Sequence, residues 1–274
     1  MKERADVLLV QQGFFETREK ARRAIMAGLV FREQERVDKP GTKLPIDVKL
    51  RVKGDPLPYV GRGGLKLEKA LKVFSFSVMD KLMLDIGAST GGFTDCALQN
   101  GARAVYALDV GYNQLAWKLR QDERVIVMER TNFRYVKPSD FTHGLPEVAT
   151  IDVSFISLKL ILPVLKTILI PNSEAVVLIK PQFEAGREEV GKKGIVRDPA
   201  IHRAVIFNIM TFATSEGFSV RDLSFSPITG GDGNIEFLMH LKCLEDREAH
   251  GCGLPESRID TVVREAHDAL KGQA

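Results

Sequence analysis

Three apolar runs of this chain end or begin at a charged residue. Ala149-Thr150-Ile151 leads into Asp152, Ala175 to Ile179 leads into Lys180, and Glu236 stands just ahead of the run that starts at Phe237. A charge attached to a hydrophobic strand is costly unless it is paired or working. An acid, a lysine and a second acid facing one cleft could hold and move a proton. Lys66 is a further candidate. It lies at the start of a helical pattern and off the stripe formed by Leu67, Ala70, Leu71 and Phe74. A second constellation has different chemistry. Leu82-Met83-Leu84-Asp85-Ile86 breaks into Gly87-Ala88-Ser89-Thr90-Gly91-Gly92-Phe93, and a helical pattern follows to Gln99. That is a strand feeding a helix through a tight turn. The next apolar run, Ala104 to Leu108, ends in Asp109, the position at which doubly wound folds hold a ribose hydroxyl pair. The turn lacks the Gly-x-Gly-x-x-Gly spacing of a dinucleotide site and the Lys-Ser/Thr pair of a triphosphate site.

The elements that must position these residues alternate. Strands are expected at 82–86, 104–109, 125–129, 148–152 and 175–180, with helices near 93–99, 113–121, 158–168 and 200–216. Two last runs, Phe218 to Ser226 and Ile235 to Leu244, flank the turn Pro227 to Asn234 and read as an antiparallel pair. Five parallel strands plus such a pair give an α/β, Rossmann-like, seven-stranded mixed sheet, whose chemistry gathers at the carboxyl edge. Ahead of it lies a small α+β region. Residues 3–28 read as two short helices, with Thr17 capping the second and Gly28 stopping it. Short β runs follow, and Gly54-Asp55-Pro56-Leu57-Pro58 forms a linker. The expected organisation is residues 1–53, a linker at 54–60, a main domain at 61–246, and a polar tail at 247–274 ending in an amphipathic helix from Arg258 to Leu270.

Composition sets bounds. The 274 residues are 44% hydrophobic with a net charge of +3, but positive charge clusters in Arg18, Lys20, Arg22 and Arg23 and again between Lys39 and Lys72. Cys96, Cys243 and Cys252 show neither a disulfide framework nor metal-ligand spacing, so no metal is expected. The start of the sequence lacks an apolar signal core and no run is long enough to cross a bilayer. A cytoplasmic protein is expected.

Asp85-x-Gly87-x-x-x-Gly91-Gly92-Phe93 resembles the first motif of S-adenosylmethionine-dependent methyltransferases. The resemblance implies that cofactor, with Asp85, Gly87, Ser89, Gly91, Gly92, Phe93 and Asp109 around it. On this reading Asp85 faces the cationic end, Asp109 takes the ribose, and the glycines let backbone approach a ligand that has no phosphates. Arg4-Ala5-Asp6-x-x-Leu9, Thr17-Arg18-x-x-Ala21-x-x-x-Ile25-x-x-Gly28-x-Val30 and Val37-x-Lys39-Pro40-Gly41 resemble the S-four-like RNA-binding domain. That resemblance implies salt-sensitive phosphate contacts from Arg4, Arg18, Lys20, Arg22, Arg23 and Lys39, with Arg62 of the following Gly-rich stretch added to the RNA-binding set. Lys66, Asp152, Lys180 and Glu236 fall in the Lys-Asp-Lys-Glu order of FtsJ-type ribose 2′-O-methyltransferases. With both parts present, the chain resembles the TlyA family, often labelled hemolysin A, whose members act as ribosomal RNA cytidine 2′-O-methyltransferases. One difference stands in the linker, where some members carry Arg-Ala-Trp-Val and this chain has Leu57-Pro58-Tyr59-Val60.

The residue types suit that reaction. A ribose hydroxyl is a poor nucleophile, and a lysine beside another cation can take or steer its proton. Lys180 is assigned that role with Lys66 as its neighbour, while Asp152 and Glu236 hold the lysines and orient the hydroxyl. Asp152-Val153-Ser154-Phe155 lacks the prolines of adenine amino-methylation, no cysteine is placed for pyrimidine C5 chemistry, and His143, His202 and His240 show no triad spacing. The Phe183–Asp198 segment, with Arg187, Lys192, Lys193 and Arg197, is expected to be a mobile RNA clamp. Two other classes remain: a non-catalytic RNA-binding or ribosome-assembly factor, which four intact tetrad residues disfavour, and a cytolysin, which the lack of a membrane-seeking segment disfavours.

Overall fold

The structure is a computed structural model that describes residues 2–15, 17–53, 57–191, 193–230, 233–245 and 254–270. Parts of the linker (54–56), the turn before Asn234 (231–232), Lys192, the start of the tail (246–253) with Cys252, and the last four residues lie outside the described residues. The chain forms two compact units, Met1–Gly64 and Leu65–Ala274. Tyr59 to Gly64 therefore go with the first, where the Tyr59 ring packs so closely on Gly64 that a Cβ would lie 2.4 Å from it.

The first unit holds β1 (Lys2–Arg4), α1 (Ala5–Gln11), α2 (Arg18–Met26), β2 (Val30–Arg32), β3 (Glu35–Arg36), β4 (Lys43–Pro45) and β5 (Leu50–Val52). Leu8, Leu9, Ala21, Ala24, Ile25 and Val30 fill its core. Thr17 caps α2 by accepting a hydrogen bond from the Lys20 amide, as its sequence position predicts. β2 pairs antiparallel with both β3 and β5. Glu3 and Arg4, expected within the first helix, are instead extended: Lys2–Arg4 pairs antiparallel with β4. Of the long alternating run from Ile46, only Leu50–Val52 is a strand.

The second unit begins within α3 (Gly63–Val73). It continues through β6 (Leu82–Ile86), α4 (Gly92–Gln99), β7 (Ala104–Leu108), α5 (Trp117–Arg120), β8 (Val125–Met128), β9 (Val148–Ile151), α6 (Leu162–Ile168), β10 (Glu174–Ile179), α7 (Pro181–Glu184), α8 (Pro199–Ser215), β11 (Phe218–Phe225), β12 (Phe237–Cys243) and α9 (Glu256–Ala269). The seven strands run in the order β11-β12-β10-β9-β6-β7-β8. β6 pairs parallel with both β7 and β9, so the sheet reverses its winding there and leaves a crevice at the carboxyl ends of these strands. β12 is antiparallel to both of its neighbours. The expected architecture is present, with one local difference. The helix expected at 113–121 shrinks to Trp117–Arg120: Asn113 takes a left-handed φ of 58°, and Ala116, with ψ at 138°, is still non-helical where the helix begins.

Candidate active site

The reversal of β12 brings the tetrad together. Ile179 is in register with Phe237, so the residue that leaves β10, Lys180, and the residue that enters β12, Glu236, meet at the same sheet edge. Asp152 leaves β9, the parallel neighbour of β10, at that edge too. Lys66 comes from the first turn of α3, where the helix dipole disfavours a cation, and two carboxylates compensate. Its Nζ stands 3.1 Å from Asp152 Oδ2 and 2.7 Å from Glu236 Oε2. Lys180 Nζ stands 2.5 Å from Asp152 Oδ1 and donates to Ser154 Oγ at 3.0 Å. Two cations and two anions thus form a continuous chain, and each lysine side chain is only 9% exposed.

Burial works to lower the Lys66 ammonium, but Asp152 and Glu236 outweigh it and hold the group above its ordinary value. Burial likewise works to raise Asp152, and the charges of Lys66 and Lys180 outweigh it, leaving the carboxyl below its usual range. Lys66 is therefore a fixed cation and Asp152 a fixed anion. Ser154 was quoted in the sequence only as part of a motif; its contact with Lys180 depends on the turn after β9, which no spacing announces.

Beside the tetrad lies a cleft of ≈ 340 Å³ at the sheet's switch point. Gly87, Ser89, Asp109, Val110, Gln114, Asn132, Asp152 and Phe155 are among its walls. Asp109 is held by the amides of Ser89, at 2.8 Å on Oδ2, and Gly111, at 2.7 Å on Oδ1. Among the described residues no lysine or arginine lines the cleft and two aspartates do. Such a pocket suits a small cationic ligand without phosphates. Gln114 and Asn132 were not singled out from sequence; their signal is the position just beyond β7 and β8, at the carboxyl edge.

Other expected cofactor residues sit behind that wall. Asp85 is fully buried, and its two oxygens accept hydrogen bonds from Thr94 Oγ1 at 2.7 Å and Thr150 Oγ1 at 3.0 Å. Burial pushes this carboxyl up to about 7. The expectation that Asp85 faces a ligand is corrected accordingly: it joins β6 to β9 and α4. Gly87 serves packing as well as the cleft. With φ at 87°, it brings the backbone so near β9 that a Cβ would lie 2.4 Å from the Asp152 carbonyl oxygen. Gly91 caps α4 in the left-handed region at φ 94°, packed on Leu119 and Leu115, while Gly92 and Phe93 are buried in the helix.

Of the RNA-contact candidates, Lys20, Arg22 and Lys39 are exposed, and Arg62 is half-buried. Arg23 pairs with Glu19 at 2.5 Å. Arg4 and Arg18 share one buried acid, Asp6, at 2.9 and 3.0 Å. The described residues of the Phe183–Asp198 segment, which leave out Lys192, are fastened at several points. Glu184 binds the turn after β9, Ile195 and Val196 are buried, and Asn234 accepts from the Val196 amide at 3.0 Å and donates to the Gly194 carbonyl at 2.8 Å.

A sheet of this order with its cleft at the switch point, acidic walls and a neighbouring charged tetrad defines a Rossmann-like methyltransferase that uses S-adenosylmethionine. The profile of the FtsJ-like methyltransferase family matches residues 59–243, and that of the S4 domain matches residues 3–48. The chain belongs to the FtsJ-like methyltransferase family. It is 67% identical, over 98% of its length and 96% of the relative's, to a Bacillus subtilis protein provisionally named rRNA methyltransferase YqxC. It is 38% identical to the 16S/23S rRNA (cytidine-2′-O)-methyltransferase TlyA of Mycobacterium tuberculosis, over 93% of this chain and 95% of that one. A solved structure from Streptococcus thermophilus, provisionally named a hemolysin, superposes with a TM-score of 0.80 at 58% identity, covering 98% of this chain and 97% of that one.

Proposed function

We propose that this methyltransferase transfers the methyl group of S-adenosylmethionine to a ribose 2′-hydroxyl, on a cytidine of ribosomal RNA, in the cytoplasm. The observation that carries the reading is the buried Lys66–Asp152–Lys180–Glu236 chain beside a cleft that has two aspartates and, among the described residues, no basic side chain in its walls. Asp109 would hold the ribose of the cofactor, with Gly87, Ser89, Gln114 and Asn132 around it. The bound cofactor supplies an electrophilic methyl already activated on sulfur.

The chain's own residues do the rest. Lys180 accepts or steers the proton of the attacking hydroxyl as the oxygen–carbon bond forms and the carbon–sulfur bond breaks. Lys66 remains charged and stabilises the oxygen as it gains negative charge. Asp152 and Glu236 fix both ammonium groups, so the hydroxyl meets them already oriented. Phe155 supports a base-bearing substrate. It is 90% exposed with a left-handed φ of 64°, and its ring lies 5.0 Å from that of Phe183. An exposed aromatic face at the mouth of the site gives a nucleotide base a surface to stack on. The S4 unit contributes affinity through Arg18, Lys20, Arg22 and Lys39 along phosphates, with Arg4, Arg23 and Arg62 as further contacts. Among the described residues no helix is long and apolar enough to cross a membrane.

The test is methyl transfer from labelled S-adenosylmethionine to purified ribosomal subunits, with the wild type beside Lys180→Ala, and the product mapped by mass. Label on a ribose, lost in the variant, is the expected result. Label on a base would remove the tetrad assignment. No label on either subunit, with cofactor still bound, would leave a binding or assembly factor.

A further inference from the structure

The turn that follows β9 and the turn that follows β10 are fastened to each other along their length. Lys180 reaches Asp152 and Ser154. One helical turn later, Phe183 packs on Phe155. Beside it Glu184 completes the ladder: its Oε2 accepts from Ser157 Oγ at 2.6 Å, and its Oε1 accepts from the Leu158 amide at 2.8 Å. Ser157 in turn accepts from the Lys159 amide at 3.1 Å, so Glu184 and Ser157 together cap the short helical turn at 158–160. Between the two fastened ends stands Phe155, a bulky residue in the left-handed region and almost wholly exposed. Such a conformation persists only where its surroundings hold it.

We infer that Glu184 is a positioning residue for methyl transfer. Through Ser157 and Leu158 it fixes the Ser154–Phe155 turn against Lys180, and so sets where the ribose hydroxyl is presented. This rests on the proposed ribose chemistry. Glu184 touches neither cofactor nor reacting atoms. Its carboxylate acts by geometry, as an acceptor for two donors on the neighbouring turn. Burial raises this carboxyl, against the pull of its two hydrogen bonds and of Lys159.

Two variants separate geometry from charge. Glu184→Gln keeps an acceptor for the Leu158 amide and offers an N–H to Ser157 Oγ, whereas Glu184→Ala removes both contacts. In Glu184→Ala, kcat on ribosomal subunits is expected to fall by about tenfold or more while the cofactor Kd stays within about twofold. Glu184→Gln is expected to recover to within about threefold of wild type, and adding Ser157→Ala to Glu184→Ala should cost little more. Amide hydrogen exchange, read without any substrate, should quicken at residues 154–158 in the alanine variant and return in the glutamine variant.

Three results would overturn the inference: unchanged exchange at 154–158, a kcat within about twofold of wild type in Glu184→Ala, or equal loss in Gln and Ala, which would make the charge itself the agent. A fall in cofactor affinity and melting temperature that matches the fall in kcat would reduce Glu184 to a structural cap. If the wild type leaves ribosomal RNA unlabelled yet exchange responds as expected, the proposed substrate fails and the brace between the two turns stands.

Discussion

A buried carboxylate holding two cations occurs in each unit of this chain, and the two instances differ in what they hold. In the first unit Asp6 has no exposed side-chain surface, yet its partners Arg4 and Arg18 keep 44% and 57% of theirs. In the second, Asp152 holds Lys66 and Lys180, each only 9% exposed. Guanidinium groups keep their proton at any relevant pH and present planar donors, so Asp6 aims permanent charge at solvent. Lysines are compact point charges, and of the two that Asp152 holds out of water Lys66 stays a fixed cation while Lys180 is the one proposed to take or steer a proton. Burial opposes both acids, and in both the neighbouring cations win, holding the carboxyls below their ordinary range. On the proposed function, the same electrostatic device would serve adhesion where arginine carries the charge and proton handling where lysine does.

Swapping the cations breaks that comparison most directly. Lys180→Arg retains the charge and a contact with Asp152 but cannot give up a proton, so methyl transfer is expected to fall by about 10³-fold, while cofactor affinity is kept. Arg18→Lys, the reverse exchange, should weaken RNA binding by less than about 1 kcal/mol and leave kcat alone. Single-turnover rates and RNA titrations at two salt concentrations measure both. A large kcat effect from Arg18→Lys, or near-normal turnover in Lys180→Arg, would show that the two clusters do not divide the work in this way.

Removing the acid sharpens the difference. Asp152→Ala leaves the buried Lys180 ammonium without its carboxylate and Lys66 with Glu236 alone, and is expected to cost about 3 kcal/mol or more of stability. Asp6→Ala frees guanidinium groups that already reach water, so the loss should be about 1–2 kcal/mol. Denaturant titration of the two variants ranks them. A larger loss in Asp6→Ala would mean that the first unit depends on its acid as a core element rather than as an anchor.

Most of the second unit is legible because its strands are continuous apolar runs and its charges sit where those runs end. Lys180 and Glu236 were found because a charge at a strand end is expensive. Their convergence follows from one topological fact, the antiparallel entry of β12, that the order of elements already implied. Asp85 was misread for a physical reason. Its place in a glycine-rich motif suggested a ligand contact, but Thr94 and Thr150, nine and sixty-five positions away, take both its oxygens, and no local pattern marks a partner that distant. Asp6 went without a role because an acid inside the apolar face of α1 makes sense only once Arg4 and Arg18 are seen to close over it. The segment after Lys180 reads as a loose loop by composition, since the groups that fasten its described residues, Glu184 and Asn234, act across the sheet edge rather than along the chain.

Asp85 supplies the smallest effect and the third kind of buried acid, one with hydroxyl partners and no cation. Its folded pKa is raised to about 7, so in the folded state it keeps its proton through the range in which the unfolded chain has lost it. Folding stability from this group must therefore decline as pH rises from about 4 to about 7, at about 1.4 kcal/mol per pH unit, and level off above. His202 acts in the opposite sense over an overlapping range. Burial lowers it to about 4, so acidification below its ordinary value costs stability. The wild-type profile mixes the two, and the difference between wild type and Asp85→Asn isolates the acid. Measured by denaturant unfolding at pH 5.5 and 6.5, that difference should move in favour of the asparagine variant by about 1 kcal/mol as the pH is raised. A difference that does not change with pH would mean that Asp85 is ionised throughout. The threonine pair would then do for it what the lysines do for Asp152.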